Sequence, residues 1–340
     1  MNFTKNVLLL ASCVAFLTAT VVFFAYHTRN RSLTTARDIY SVLDHYRITY
    51  DIDNHSMDST SSTTPVAAKN VEQAVKNLDY FVAQNLPIKM LLVGFPFKSG
   101  NQEKKVNGYL PDMAERTSLE YLQGMLNEIK AIYKPGAHIH IFCDGIPFAQ
   151  FFGIPIKHVV AYENSLKALA QDLPDMSIFS SQDFMQKYGL ASAHDIVQFI
   201  DRFEPSDEEY RKELKAIPNT ALQRFALELD HPQGQKLIKK YTLKDIVFRL
   251  LARETRLRNY IAKTFPSPEY FRLTVHFSPD VSKKFGIRLS PTSDVTPYHG
   301  VMVQEDGTWS IRFKKDVDEE QFVYDTMTVN GVVCGYYRKK

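Results

Sequence analysis

The chain has 340 residues, 44% of them apolar, and a formal net charge of +3. That is enough sequence for a large core, and the near-balanced charge, with no RRM, KH or zinc-finger spacing, gives no basis for nucleic-acid binding. Cys13, Cys143 and Cys334 form neither a CxxC pair nor a disulfide framework, which suits a reducing compartment.

From Val7 to Tyr26 the sequence reads VLLLASCVAFLTATVVFFAY, an uncharged run of about 20 residues, long enough to cross a bilayer as a helix. A cleaved signal peptide is the rival reading, but its apolar region is usually shorter and ends in small residues. Here Phe23, Phe24 and Tyr26 close the run. Arg29, Arg31 and Arg37 follow it, against Lys5 in front, so the positive-inside tendency puts the rest of the chain in the cytoplasm. Residues 1–30 are read as an N-terminal membrane anchor and 31–65 as a linker containing SMDSTSSTT (Ser56–Thr64). Residues 66–340 form the catalytic or binding body.

In the body, Val71, Val75, Leu78 and Val82 predict a helix over Ala68–Gln84, and Ile88–Val93 is a buried strand. Leu119, Leu122, Leu126 and Ile129 predict a second helix over Thr117–Ile132. After the KPGA turn, HIHIFCDG (His138–Gly145) is a second strand, and His158–Tyr162 reads as a short third one. This order is that of an α/β fold with a mostly parallel, Rossmann-like sheet. Phe184–Lys263 is mostly helical, an insertion in that scheme. The C-terminal quarter reads as antiparallel, with hairpin turns at Asp306-Gly307 and Asn330-Gly331.

Ligands in open α/β sheets sit outside the carboxyl ends of the strands. Two loops leave such ends. One carries Lys98, Asp112, Glu115 and Arg116; the other carries Asp144 and Gly145. A lysine there can hold a phosphate or, with a lowered pKa, form an imine, and a nearby carboxylate can move protons. The competing reading of Lys98 and Glu115 is a solvated charged loop. Asp112 and Asp144 read equally as helix caps. Lys104 and Lys105 read as solvated. Arg272, Thr274 and His276 share one strand face, either an anion pocket or a solvent-facing surface, and His299 stands at a loop–strand junction. His138 and His140 are too few for a metal site. Arg249, Arg253, Arg256 and Arg258 read as a solvated basic helix face. GxGxxG, GxxxxGK[ST] and GxSxG are all absent, which removes support for dinucleotide, NTP and serine-hydrolase readings.

GFPFKS (Gly94–Ser99), LPDMAE (Leu110–Glu115), YKPGAHIHIFCDG (Tyr133–Gly145), FRLTVHFS (Phe271–Ser278) and TPYHGV (Thr296–Val301) occur in that order. Together with LQRF (Leu222–Phe225), they resemble the pyoverdine/dityrosine biosynthesis family over roughly Val71–Val303. The resemblance implies an isocyanide synthase with a Rossmann-like core and neither metal nor nicotinamide. Such an enzyme joins the α-amino group of tyrosine or tryptophan to a carbon from ribulose 5-phosphate, and an iron/2-oxoglutarate oxygenase often acts next. The alternatives are a dityrosine-type enzyme making an N-formyl amino acid, and a non-catalytic, membrane-anchored protein of the same fold. On this reading Lys98 handles the ketose, while Glu115, Asp144, His276 and His299 serve in proton transfer or amine binding. Arg224, Arg272 and Arg288 bind the anionic groups. The family pattern leads us to expect tryptophan at Tyr298 and serine at Cys143, and either departure bears on which aromatic substrate fits.

Overall fold

A computed structural model describes residues 29–48, 67–213, 217, 219–293 and 295–340. The apolar run Val7–Tyr26 and the SMDSTSSTT stretch lie outside the described residues. Among the described residues no helix is long and apolar enough to cross a membrane.

Helix α1 spans residues 29–45, within the stretch read as linker. Ala36, Ile39 and Leu43 recur at helical spacing and are fully buried in the main core. The Tyr40 ring meets Phe285 edge-on at 5.9 Å, and the Tyr46 hydroxyl donates to Glu128 Oε1 at 2.6 Å. Beyond the helix, Ile48 N donates to the Gly286 carbonyl at 3.0 Å, and Arg288 N donates to the Tyr46 carbonyl at 2.8 Å. Residues 31–48 therefore belong to the folded body and are no linker.

Five strands form the main sheet: β1 (Ile88–Val93), β2 (Ala137–Phe142), β3 (Met176–Phe179), β4 (Phe271–Thr274) and β5 (Phe285–Gly286). Their order is β3-β2-β1-β4-β5, and every pairing is parallel. β1 is almost continuously apolar because both its faces are covered. Ile88, Met90 and Leu92 pack with α1, α2 (Ala68–Val82) and α3 (Met113–Ile132). Leu91 turns to a second cluster built by α6 (Ser181–Tyr188), α7 (Ala193–Ile200), α9 (Asn219–Glu228) and α11 (Leu243–Thr264). The chain leaves β1 for β2 on one side and returns to β4 on the other, so the strand order reverses beside β1. That reversal opens a crevice at the carboxyl ends of β1 and β4.

Two expectations are corrected. The stretch His158–Tyr162 is not a strand but part of α5 (Ile156–Leu169), where Val159, Tyr162, Leu166 and Leu169 are buried at a period of three to four rather than two. The first of the C-terminal strands, β4 and β5, extend the parallel sheet instead of forming hairpins, because the long helical excursion from α6 to α11 brings the chain back to the same end. The hairpins lie beyond, in a second sheet of β6 (Val301–Glu305), β7 (Thr308–Arg312), β8 (Phe322–Val329) and β9 (Val332–Lys339), ordered β7-β6-β9-β8. Asp306-Gly307 and Asn330-Gly331 form its turns, all four residues with positive φ, as a two-residue turn matching strand twist requires. β6 and β9 pair in parallel.

Candidate active site

The loop leaving β1 is held in an unusual shape. Phe95 is fully buried with φ 56°, a left-handed conformation that costs a non-glycine residue about 1–2 kcal/mol. It folds Pro96 back onto the end of β2, where only a glycine fits: a Cβ on Gly145 would lie 2.1 Å from the Pro96 carbonyl oxygen and 2.6 Å from Val159 Cγ1. Further on, Ser99 N donates to the Tyr298 carbonyl at 2.9 Å.

Lys98 anchors this loop from behind. Its ammonium lies 3.0 Å from Asp112 Oδ2 and 2.9 Å from Glu115 Oε2. It also donates to the carbonyl oxygens of Pro297 at 2.8 Å and Gly300 at 3.2 Å. Asp112 and Glu115 form the capping box of α3, and the Tyr162 hydroxyl donates to Glu115 Oε1 at 3.2 Å. Burial works against the Lys98 charge, but Asp112 and Glu115 outweigh it and hold the ammonium protonated above its ordinary range. Burial pushes the Glu115 carboxyl up, with Lys98 pulling it back. Lys98 is thus enclosed by four acceptors and has no free donor for a phosphate and no free amine for an imine. Neither ketose role assigned from the sequence fits this geometry. Lys98 and Glu115 instead position the turn Pro297–His299 that carries Tyr298 and His299.

In front of that turn lies a cavity of about 410 Å³ over the carboxyl ends of β1 and β4. Phe97, Phe148, Phe152, Phe225, Phe277 and Tyr298 give it an aromatic wall. Arg224 and Glu228 reach it from α9, Glu254 from α11, and Thr274 and His276 from β4 and the loop after it. A neighbouring lobe of about 600 Å³ shares Arg224, Glu228, His276, Phe277, Tyr298 and His299 and continues past Lys105 and Thr296.

The polar centre of the cavity is the Glu228–His299 pair. His299 Nε2 is 3.7 Å from Glu228 Oε1, and its Nδ1 shares a hydrogen bond of 3.2 Å with Thr296 Oγ1. Lys105 forms an ion pair with Glu228 Oε1, and the Ser99 hydroxyl donates to Oε2 at 3.3 Å. Burial lowers the His299 pKa to about 4 despite the pull of Glu228, so the imidazole is neutral near pH 7. Burial by itself would raise Glu228, but His299, Lys105 and Arg224 hold it below the ordinary carboxylate range.

The cavity thus unites Arg224, His276, Tyr298 and His299 among the residues singled out from the sequence. Asp144 sits half-buried at the end of β2, where desolvation, with Glu254 and Glu163 adding to it, raises its pKa to about 7. Its side chain caps no helix, and its Oδ1 has no hydrogen-bond partner among the described residues. Arg272 shares the β4 face with Thr274 but stands two residues back from the strand end, and burial lowers its pKa. Arg288 does not join the site: it turns toward α1, where its Nη2 donates to the His45 carbonyl at 2.8 Å. Lys105 is not solvated, because it holds Glu228. Nor is the basic face of α11 free: Arg253 and Arg256 are buried and tied to Asp201, and Arg256 also to Asp207. His138 and His140 both hydrogen-bond Ser177 Oγ, at 3.1 Å and 2.9 Å.

Glu228, Glu254 and Lys284 were not anticipated from the sequence. Glu228 had a usable signal: it follows Arg224 by four residues on one helix, so the two share a face.

Residues 78–324 match the family described as "Pyoverdine/dityrosine biosynthesis protein". An L-tyrosine isonitrile synthase of Pseudomonas aeruginosa is 28% identical over 266 residues, which cover 74% of this chain and 80% of that protein. An L-tryptophan isonitrile synthase of Fischerella ambigua is 28% identical over 247 residues, 67% of this chain and 72% of that protein. The crystal structure of the PvcA protein from Pseudomonas aeruginosa shares the fold, with a TM-score of 0.74 at 22% identity, over 90% of this chain and 100% of that one. Since the matched segment runs from α2 to β8 and so takes in both the main sheet and the cavity, the chain belongs to the pyoverdine/dityrosine biosynthesis family.

Proposed function

We propose that this protein is an isocyanide synthase that converts the α-amino group of tyrosine or tryptophan to an isonitrile, with ribulose 5-phosphate as carbon donor. The observation that carries this reading is the pairing, in one cavity, of an aromatic wall with a neutral histidine, a buried carboxylate and an arginine. The wall suits an aromatic side chain. Joining an amine to a ketose requires proton transfers at nitrogen and oxygen. His299, oriented by Thr296 and with the Glu228 carboxylate beside it to stabilise an imidazolium, takes a proton from the attacking nitrogen as the new bond forms. His276 faces the same space from the loop after β4 and serves at the carbonyl oxygen. Arg224 receives an anionic group, carboxylate or phosphate, through its planar guanidinium.

The test is incubation of the purified protein with tyrosine or tryptophan and ribulose 5-phosphate, followed by mass spectrometry. An isonitrile product supports the reading; an N-formyl product would move it to the dityrosine type, and unconsumed substrates would reject it. The same reading makes an iron/2-oxoglutarate oxygenase the next enzyme and residues 1–30 a membrane anchor with the body on the cytoplasmic side. Co-incubation with such an oxygenase tests the first, and fractionation of the full-length chain tests the second.

A further inference from the structure

One lysine in the cavity stands outside the ion-pair network. Lys284 precedes β5, and its side chain lines the cavity wall with Thr274, His276 and Glu254. Lys98, Lys104, Lys105 and Lys283 each hold a carboxylate. Among the described residues, the Lys284 ammonium makes no hydrogen bond and no ion pair within 4 Å. The groups acting on it are mostly cationic: Arg272 from β4 and Arg258 from α11, opposed by Glu254. Burial, followed by these two arginines, lowers its pKa. An amine attacks a carbonyl only after losing its proton; the surroundings of Lys284 ease that loss, while those of Lys98 oppose it.

We propose that Lys284 captures the carbonyl carbon of the ketose phosphate as an imine before the amino acid attacks; this rests on the reading that a carbonyl sugar phosphate is the carbon donor. The neutral Nζ adds to the carbonyl carbon. The former carbonyl oxygen takes up protons, with Glu254 and His276 at hand to deliver them, and leaves as water. The α-amine of the substrate then adds to the imine carbon, and the Lys284 nitrogen departs as the free amine. The carbon–nitrogen double bond now joins the two substrates. Overall, an amine and a ketone give an imine and water, the lysine is regenerated, and no oxidant or reductant is consumed.

The experiment is borohydride trapping. The purified protein is mixed with ribulose 5-phosphate alone, reduced, digested and analysed by mass spectrometry. The expected result is a peptide containing Lys284 heavier by one sugar phosphate less one oxygen atom, absent from Lys284→Ala. Lys284→Arg, which keeps the charge and much of the packing, should lose turnover by about 10²-fold or more while melting near wild type. An adduct confined to another lysine overturns the proposal, as does an active Lys284→Arg. A preparation that makes isonitrile yet traps no sugar also overturns it and leaves the function standing. A preparation that traps sugar at Lys284 but makes no isonitrile keeps the imine site and rejects the function. If neither occurs, both fall.

Discussion

Lys98 Nζ donates to the Pro297 carbonyl at 2.8 Å, a bond between residues 199 positions apart. Through it, the loop that leaves β1 fixes the turn that presents Tyr298 and His299. Replacing Lys98 by methionine leaves Asp112 and Glu115 buried without their cation. We expect a loss of about 3–5 kcal/mol, read from the urea midpoint at constant slope. A loss below about 1 kcal/mol would show that the cluster does not hold the turn.

Truncation separates α1 from what precedes it. A chain starting at residue 29 should fold with a melting temperature near that of the full body. A chain starting at residue 67 gives up the buried Ile39, Leu43 and Tyr46, each worth about 1.5–3 kcal/mol. It should be insoluble or melt far lower. Equal melting of the two would mean that α1 contributes nothing to the core.

Glu163 is fully buried and accepts from Ser181 N at 2.9 Å. Burial raises its pKa from 4.5 to about 7, and Asp144 rises from 3.8 to about 7 for the same reason. Between those ordinary values and about 7, the folded chain keeps protons that the unfolded chain has released. The contribution is therefore complete below the ordinary carboxylate values and is lost as pH rises through the folded values, on the order of 3 kcal/mol for each group. Glu163→Gln should reduce the fall in melting temperature between pH 5 and pH 8; an unchanged fall would remove Glu163 from this account.

His299 behaves in the opposite sense. Its folded pKa of about 4 lies below the ordinary 6.5, so the stability of the neutral, half-buried ring is present above 6.5 and is lost as pH falls toward 4. Its ring protons should show no titration by NMR between pH 6 and 8. Glu228→Gln removes the carboxylate beside it and the partner of Lys105, and turnover should drop by about 10²-fold or more. A ring that titrates near 6.5, or full activity in Glu228→Gln, would count against the pair as the acid–base centre.

Gly145→Ala tests the close approach of the two strand-end loops. The added methyl group meets backbone at Pro96, which cannot rotate away, so a cost of about 1–3 kcal/mol or more is expected in thermal or chemical unfolding. A neutral substitution would mean that the loops can separate freely.

Features set by short-range rules were legible in the chain. The capping box at Asp112 and Glu115, the hairpin turns at Asp306-Gly307 and Asn330-Gly331, and the continuous apolar run of β1 each follow from a few neighbouring residues. His158–Tyr162 misled because a short apolar run carries no clear period, and only Pro155 and the later Leu166 and Leu169 show it to be helical. The site was half legible. His276, His299, Arg224 and Tyr298 are carried by recognisable segments. Lys98 and Lys284 are the same residue type near strand ends, yet one is sealed among acceptors and the other faces the cavity. That difference depends on which elements pack behind them, and α9 and α11 come to the crevice only through a helical path of roughly ninety residues. Arg288 fails for a related reason: its side chain turns toward a helix that no local pattern connects to β5.

The placement of α1 has a further consequence. Residue 29 already lies in the helix, and the apolar run ends at Tyr26, so in a chain inserted in a bilayer through that run no more than roughly 10 Å could separate the run from the body. The polar stretch around Ser56–Thr64 adds no slack, since it follows α1 and both its flanks are seated on the body. Such an enzyme would ride close against the lipid surface in a restricted orientation, and whatever docks with it would have to approach from the sides left uncovered.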